Sequence, residues 1–199
     1  MITVRTALRF ICMAAFFFSA YSAHAATLLF SPAAPSVSVG QTFSVKVIVD
    51  SGGGAGINAA EGTVNFDKAK LSVVSATKDG SIFNLWTTEP AFSNANGAVS
   101  FGGGSTKTYQ GSAGTIISIS FKALSEGAAA LTFSGGSVLA ADGKGTEALS
   151  GTNPGSVAIA KAKSAPPPAP PPALTPPAPA SGSGFDFGVE LTAPKIISP

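Results

Sequence analysis

The amino-acid sequence predicts an all-β fold, an antiparallel β-sandwich or jelly roll of about nine strands. Within residues 114–133, the apolar side chains of Ile117, Ile119 and Phe121 alternate with polar ones. This period of two is typical of a strand with one face in a core and one in water. Shorter alternating runs recur about every 8 to 15 residues between Gly, Asn, Asp and Ser. No segment carries the apolar periodicity of a long helix.

The individual strands follow from the same alternation. After residues 114–121, Ser125-Glu126-Gly127 interrupts the pattern, and Ala129, Leu131 and Phe133 resume it. This arrangement predicts a strand, a short Gly-containing connection and a second strand. The remaining predicted strands cover residues 27–30, 43–50, 57–66, 71–76, 85–92, 98–102, 137–141 and 156–160.

The first 25 residues have the features of a secretory signal peptide. Arg5 and Arg9 precede an apolar run over residues 10–21, and Ala23-His24-Ala25 forms an A-x-A cleavage site. We therefore expect cleavage between Ala25 and Ala26 and an exported protein, either secreted or associated with the cell surface. The apolar run is shorter than the roughly 20 residues of a spanning helix. Direct membrane insertion is not expected after cleavage.

Cleavage of the signal peptide would remove residues that several kinds of catalysis and metal binding require. The only Cys, Cys12, and the only His, His24, both lie in the predicted signal peptide. Ser–His and Cys–His nucleophiles and Cys/His zinc sites are therefore excluded in the mature chain. Loss of Arg5 and Arg9 leaves ten Lys and Arg against ten Asp and Glu, so the charge gives no indication of nucleic-acid binding.

A change of composition ends the predicted domain, which covers residues 26–163. Nine of the 15 prolines lie between Pro166 and Pro179, and a Ser-Gly repeat follows. Residues 164–184 are therefore predicted to be a linker, with an extended Pro-Ala part and a flexible joint. Residues 185–199 form a short tail, interpreted either as a tethered peptide or as the start of a further, truncated domain.

Three ordered stretches resemble the bacterial cohesin domain. Residues 39–47 are similar to the family's early strand, residues 62–73 to its aromatic-Asp-x-x-x-Leu-x-Val turn, and residues 115–143 to its late strands and following loop. The resemblance implies a nine-stranded jelly roll that acts as a receptor for dockerins, which are small Ca²⁺-loaded helical modules. It also implies a scaffolding role for polysaccharide-degrading enzymes or cell-surface proteins. No cofactor is expected in this chain, because the Ca²⁺ belongs to the dockerin-type partner.

The resemblance also implies a docking face. An acidic residue six positions before the Asp of the turn is a contact in the family, and the corresponding residue here is Glu61. The Asn often found two residues earlier in the family is replaced by Ala59. Ser100, Gly102 and Gly103 are expected to complete the partner-binding site, where small residues let a helix of the partner approach.

Two other functions stay open at this stage. Trp86 and Tyr109, the only Trp and Tyr of the mature chain, could stack on sugar rings of a polysaccharide, although a core position for Trp86 is favoured. The chain could also be a structural or adhesive surface module. Catalysis is not expected, since no pattern brings two carboxylates together. Asp67 and Asp142 are interpreted as turn residues, and no metal site is expected.

Overall fold

The computed structural model describes residues 25–54 and 56–162, together with Gly188. Within them the chain forms eleven strands, two more than expected, because two short strands lie at the margins of the sheets. The predicted linker and nearly all of the predicted signal peptide and tail lie outside the described residues. The strands are β1 Ala26–Ser31, β2 Ser36–Ser38, β3 Thr42–Asp50, β4 Ile57–Phe66, β5 Leu71–Thr77, β6 Leu85–Ser93, β7 Ala98–Tyr109, β8 Gly114–Ala123, β9 Gly127–Ala140, β10 Leu149–Thr152 and β11 Gly155–Ala160.

The strands form two sheets that pack face to face, which confirms the all-β sandwich. One sheet has five strands in the order β10-β1-β3-β8-β5, and the other has six in the order β2-β11-β9-β4-β7-β6. Pairing is antiparallel except for the marginal pairs β1–β10 and β2–β11. No helix long and apolar enough to cross a membrane occurs in the described residues.

Strands β8 and β9 follow one another in the chain but lie in different sheets. The connection Ser125-Glu126-Gly127 therefore crosses from one sheet to the other and does not close a hairpin. The strand predicted from Ala129, Leu131 and Phe133 and the strand predicted at residues 137–141 are a single strand, β9. It continues through a bulge where Gly135 has a φ of +69°, a conformation that side-chain-bearing residues rarely adopt.

The alternation in β8 builds the centre of the core. Ile117, Ile119 and Phe121 are fully buried, whereas Lys122 is exposed. The Phe121 ring stacks on Phe43 with centroids 5.8 Å apart and meets Phe66 edge-on at 5.4 Å, so it joins the two sheets. Burial of this apolar layer is the main force that holds the sheets together.

The three consecutive glycines of β7 allow close packing within the six-stranded sheet. A Cβ added at Gly103 would lie only 3.0 Å from Cε3 of Trp86, whose ring covers this glycine from the core side. We expect Gly103→Ala to reduce the free energy of unfolding by about 1–3 kcal/mol through overpacking. Urea denaturation measures this change. Gly151→Ala is the control, because no atom lies within 4 Å of its added Cβ; an equal loss there would contradict the packing explanation.

Candidate functional site

The outer surface of strands β9, β4, β7 and β6, here called the open face, is left uncovered by the described residues. On β4, Glu61 is exposed and Thr63 half-buried, whereas Ala60, Val64 and Phe66 are buried in the core. In the register of the sheet, Glu61 is opposite Gly102 of β7 and Ser137 of β9. Residues directly opposite on one face have Cβ atoms about 4.5–5.5 Å apart. Residues from three strands therefore meet at Glu61, with the side chain of Ser137 on one side and the bare backbone of Gly102 on the other.

A groove of about 570 Å³ occupies one end of the open face. Its floor is built from small residues, including Ala59 and Gly104, and the apolar side chains of Leu85 and Leu139 border it. Leu85 is 55% exposed although it is a large apolar residue. The loop that carries Gly143 and Gly145 forms part of the wall. The groove is thus a mainly apolar, open depression of the sheet, with Asn58, Glu61 and Ser105 among its polar lining residues.

A smaller, hydroxyl-lined pocket of about 260 Å³ adjoins the groove on the other side of Glu61. The hydroxyl groups of Thr63, Thr88, Ser100 and Ser134 line it. Glu61 lines both depressions, so its carboxylate stands between an apolar end and a polar end of the open face.

Glu147 fastens the wall of the groove to β9. Its Oε1 accepts hydrogen bonds from the backbone N–H groups of Val138 and Leu149, both at 2.9 Å, and its Oε2 accepts one from the Ser137 hydroxyl. Partial burial by itself raises the pKa of Glu147. Hydrogen bonds from Ser137 and from three backbone N–H groups outweigh that effect, so the pKa lies below its ordinary value.

The lowered pKa of Glu147 makes a prediction for stability. A carboxylate with a depressed pKa in the folded state stabilises the fold above its unfolded pKa of about 4.3, and the contribution is lost as the pH falls through the folded pKa. We expect Glu147→Gln to reduce the free energy of unfolding by about 0.5–1 kcal/mol at pH 7, a modest loss because water screens this exposed carboxylate. The difference from wild type should vanish near pH 2. Urea denaturation at both pH values measures it, with the exposed Glu126→Gln as control; a difference that is independent of pH would refute this account.

The structure separates the four residues predicted to bind a partner. Glu61 and Ser100 lie on the open face. Gly102 also belongs to that face, but it is buried against Thr87, whose Oγ1 donates a 3.2 Å hydrogen bond to its carbonyl. Gly103 reaches the groove with its backbone only, because a Cβ added to it would point towards the ring of Trp86. The register of β7 explains the difference, because successive residues of a strand point to opposite faces.

The two aromatic residues considered for glycan binding are both packed at the edge of the core. The Trp86 ring rests on Gly103, and the Lys78 ammonium lies 5.7 Å from the ring centroid. The ring of Tyr109 lies against Gly114, and its hydroxyl accepts a 3.3 Å hydrogen bond from the N–H of Ala113. Both rings are half-buried. This placement favours the core interpretation over an exposed stacking platform.

The two aspartates interpreted as turn residues order their own turns. Asp67 accepts hydrogen bonds from the Lys70 ammonium and from the N–H of Ala69, both at 3.0 Å, and these bonds lower its pKa. For Asp142 the Thr146 hydroxyl, followed by the N–H of Lys144, lowers the pKa in the same way. In the described part of the chain, no group of three or more His, Cys, Asp or Glu side chains is arranged to hold a metal ion.

The residues that the sequence did not single out are those whose role depends on pairing between distant strands. Ser137 and Leu139 fall in a predicted strand, but their side chains could not be assigned to the open face without the register against β4. Leu85 begins a predicted strand, and nothing in the sequence indicates that its apolar side chain is exposed. Glu147 follows a loop, and no local pattern links it to Ser137.

These features define a β-sandwich with one uncovered sheet face that is suited to binding another protein. The family model of the cohesin domain matches residues 30–159, and the chain therefore belongs to the cohesin family. Cohesin domains are non-catalytic protein-binding modules. No curated protein sequence matches the chain.

Solved cohesins share the fold. The type I cohesin OlpC of Clostridium thermocellum, solved with the dockerin Doc435, is 14% identical, with a TM-score of 0.60 over 70% of this chain and 96% of that one. The seventh ScaB type I cohesin of Pseudobacteroides cellulosolvens is 17% identical, with a TM-score of 0.57 over 70% and 95%. A non-cellulosomal cohesin of the archaeon Archaeoglobus fulgidus is 15% identical, with a TM-score of 0.52 over 68% and 91%. At such identities the likeness concerns the fold alone.

Proposed function

We propose that this chain is an exported, non-catalytic receptor that docks a dockerin-type protein module on the open face. The observation that carries the proposal is the groove, in which Leu85 and Leu139 border a floor of small residues on an uncovered sheet. Membership of the cohesin family and the dockerin bound in the OlpC structure support the choice of partner. The partner would bring Ca²⁺ in its own loops, and this chain would need no cofactor.

The geometry suits a helical partner. Ala59 and Gly104 leave room for a helix backbone to approach the sheet, as small residues do in close helix contacts. Leu85 and Leu139 would then be buried against apolar side chains of the partner, at about 25 cal/mol per Å² of apolar surface. The hydroxyl-lined pocket would fix the register of the partner through polar contacts at the rim.

A domain organisation accompanies the proposal. A signal peptide over residues 1–25 would be removed, the cohesin domain would cover residues 26–163, and residues 164–184 would space it from the tail at 185–199. The start of β1 at Ala26 is consistent with cleavage before that residue. We place the exported protein in a polysaccharide-degrading or cell-surface assembly, as the resemblance implies. The packing of Trp86 and Tyr109 against the core gives a glycan-binding role no comparable support.

The decisive experiment is capture of a partner from the exported proteins of the source organism by the immobilised chain, with and without a Ca²⁺ chelator. Capture of a chelator-sensitive protein that carries paired Asp/Asn-rich Ca²⁺ loops would support the proposal. Recovery of polysaccharide, or of no partner, would contradict it.

Glu61→Ala tests the predicted contact on β4. We expect weaker binding of the captured partner, by about tenfold, because the carboxylate is at the centre of the open face. Calorimetric titration measures the affinity, and an unchanged urea midpoint shows that the fold is intact. An unchanged affinity would remove Glu61 from the site. Glu126→Ala, in the turn between β8 and β9, is the matched control.

A further inference from the structure

Glu61 is a carboxylate among neutral side chains. Its neighbours across the sheet are Gly102 and Ser137, and its neighbours on the same face of β4 are Ala59 and Thr63. The ion pairs found in the described residues join Lys70 to Asp67 and Lys78 to Glu89, so neither includes Glu61. Within the same residues, Lys144 of the loop beside the groove forms no ion pair with Glu61 either.

The hydroxyl of Ser137 has its proton committed. It donates to Oε2 of Glu147, so the Ser137 oxygen can offer only lone pairs to a partner in the groove. Glu147 is itself held in place, because the N–H groups of Val138 and Leu149 both bind its Oε1. The Ser137 oxygen beside Glu61 is therefore a hydrogen-bond acceptor, and the carboxylate of Glu61 is one as well.

We propose that Glu61 and Ser137 together accept hydrogen bonds from one basic side chain, Lys or Arg, of the docked protein. In this arrangement Glu147 is a positioning residue that keeps the Ser137 proton out of the groove. The proposal rests on the proposed docking function and specifies its chemistry at one point. A Lys ammonium carries three donors and an Arg guanidinium five, and neither carries an acceptor, so both match a pair of acceptors.

The electrostatic cost of docking favours the same conclusion. A partner that covers the groove removes water from Glu61, and a carboxylate that loses its water without a cation weakens the complex. The neutral residues around Glu61 do not supply that cation. A basic side chain of the partner would compensate the carboxylate, and repulsion would exclude partners that present an acid at this point.

A display library of dockerin modules, with randomised residues on the helix surface, tests the proposal and does not require the natural partner. The full chain is the bait, with Ca²⁺ in the buffer to load the modules. We expect the selected modules to be enriched in Lys or Arg at one position, and to bind Glu61→Gln about 30-fold more weakly. Selection with Glu61→Lys bait should reverse the preference to Asp or Glu.

The sign of the Glu61→Gln effect is decisive. If the selected modules offer no cation to Glu61, the neutral variant would bind them equally or more tightly, since it removes an uncompensated charge; this result would overturn the proposal. The variant Leu85→Asp, used as bait, distinguishes a failure of the docking function from a failure of this inference alone. Absence of binders, or binders insensitive to Leu85→Asp, would contradict the docking function itself, whereas Leu85-dependent binders without a basic preference would contradict only this inference.

Glu147→Gln tests the positioning role. The amide oxygen of the introduced Gln would accept the hydrogen bonds from the Val138 and Leu149 N–H groups. The NH₂ group of the Gln would then face Ser137, so the hydroxyl proton of Ser137 would turn towards Glu61. We expect about tenfold weaker binding of a selected basic module in the presence of Ser137, but little change in a Ser137→Ala background. Equal losses in both backgrounds would show a purely structural role for Glu147.

Discussion

Replacement of Leu85 by Asp is expected to weaken docking by about 30-fold or more, because a hot-spot residue of an interface contributes about 2 kcal/mol or more. Leu85 is 55% exposed at the border of the groove, so docking would bury most of an apolar side chain that water now covers. An Asp there loses the apolar contact and places a second carboxylate near Glu61. Calorimetric titration of the captured dockerin-type module measures the effect.

The same substitution at Val74 is the matched control. Val74 is also 55% exposed, but it lies on β5 at the edge of the five-stranded sheet. We expect Val74→Asp to leave the affinity unchanged and both variants to keep the urea midpoint of the wild type within the range of surface substitutions, about 0.5 kcal/mol. Equal losses of affinity in the two variants would move the docking surface away from the open face.

Much of the fold could be predicted because burial imposes a local period on each strand. The alternation of Ile117, Ile119 and Phe121 is such a case, since every second side chain of β8 must enter the core. The sequence also shows which strands follow one another along the chain. It does not show whether two consecutive strands pair in one sheet or lie in different sheets. For this reason the sequence indicated both β8 and β9 and left their placement in different sheets undetermined.

The candidate site could be predicted only at residues whose position follows from the sequence of a single strand. Glu61 follows from its spacing to Asp67 in the family resemblance. The face to which Gly103 belongs could not be predicted, because glycine has no side chain whose polarity would reveal it. Ser137 and Glu147 depend on the register of β9 and on a hydrogen bond across a loop, and no period in the sequence encodes either one.

The open face and the core share strand β4, and this makes the site rigid. Val64 and Phe66 of β4 are buried in the core, whereas Glu61 and Thr63 face outward on the same ten-residue strand. Hydrogen bonds to both β7 and β9 hold the strand in the middle of the sheet. A site on such an element is positioned before the partner arrives, which reduces the entropy that binding costs.

Phe121→Ala is expected to produce the largest loss of stability, about 3–5 kcal/mol, because it removes a fully buried aromatic ring and leaves a cavity. The Phe121 ring lies between Phe43 of its own sheet and Phe66 of the opposite sheet, so neither neighbour can collapse into the space without losing its own contacts. A domain of this size has about 5–15 kcal/mol in total, so a large fraction of its stability would be lost.

Urea denaturation measures this loss, and Phe92→Ala is the control, because Phe92 is 43% exposed on β6 and its removal should change stability by about 0.5 kcal/mol or less. Phe121→Ala should reduce docking only to the extent that the domain unfolds. Excess of a dockerin-type partner should therefore restore the folded state of Phe121→Ala by mass action, whereas it should leave the binding defect of Leu85→Asp unchanged at equal saturation. A loss below about 1 kcal/mol in Phe121→Ala would show that the layer between the sheets can repack, and that the stability of the sandwich resides elsewhere.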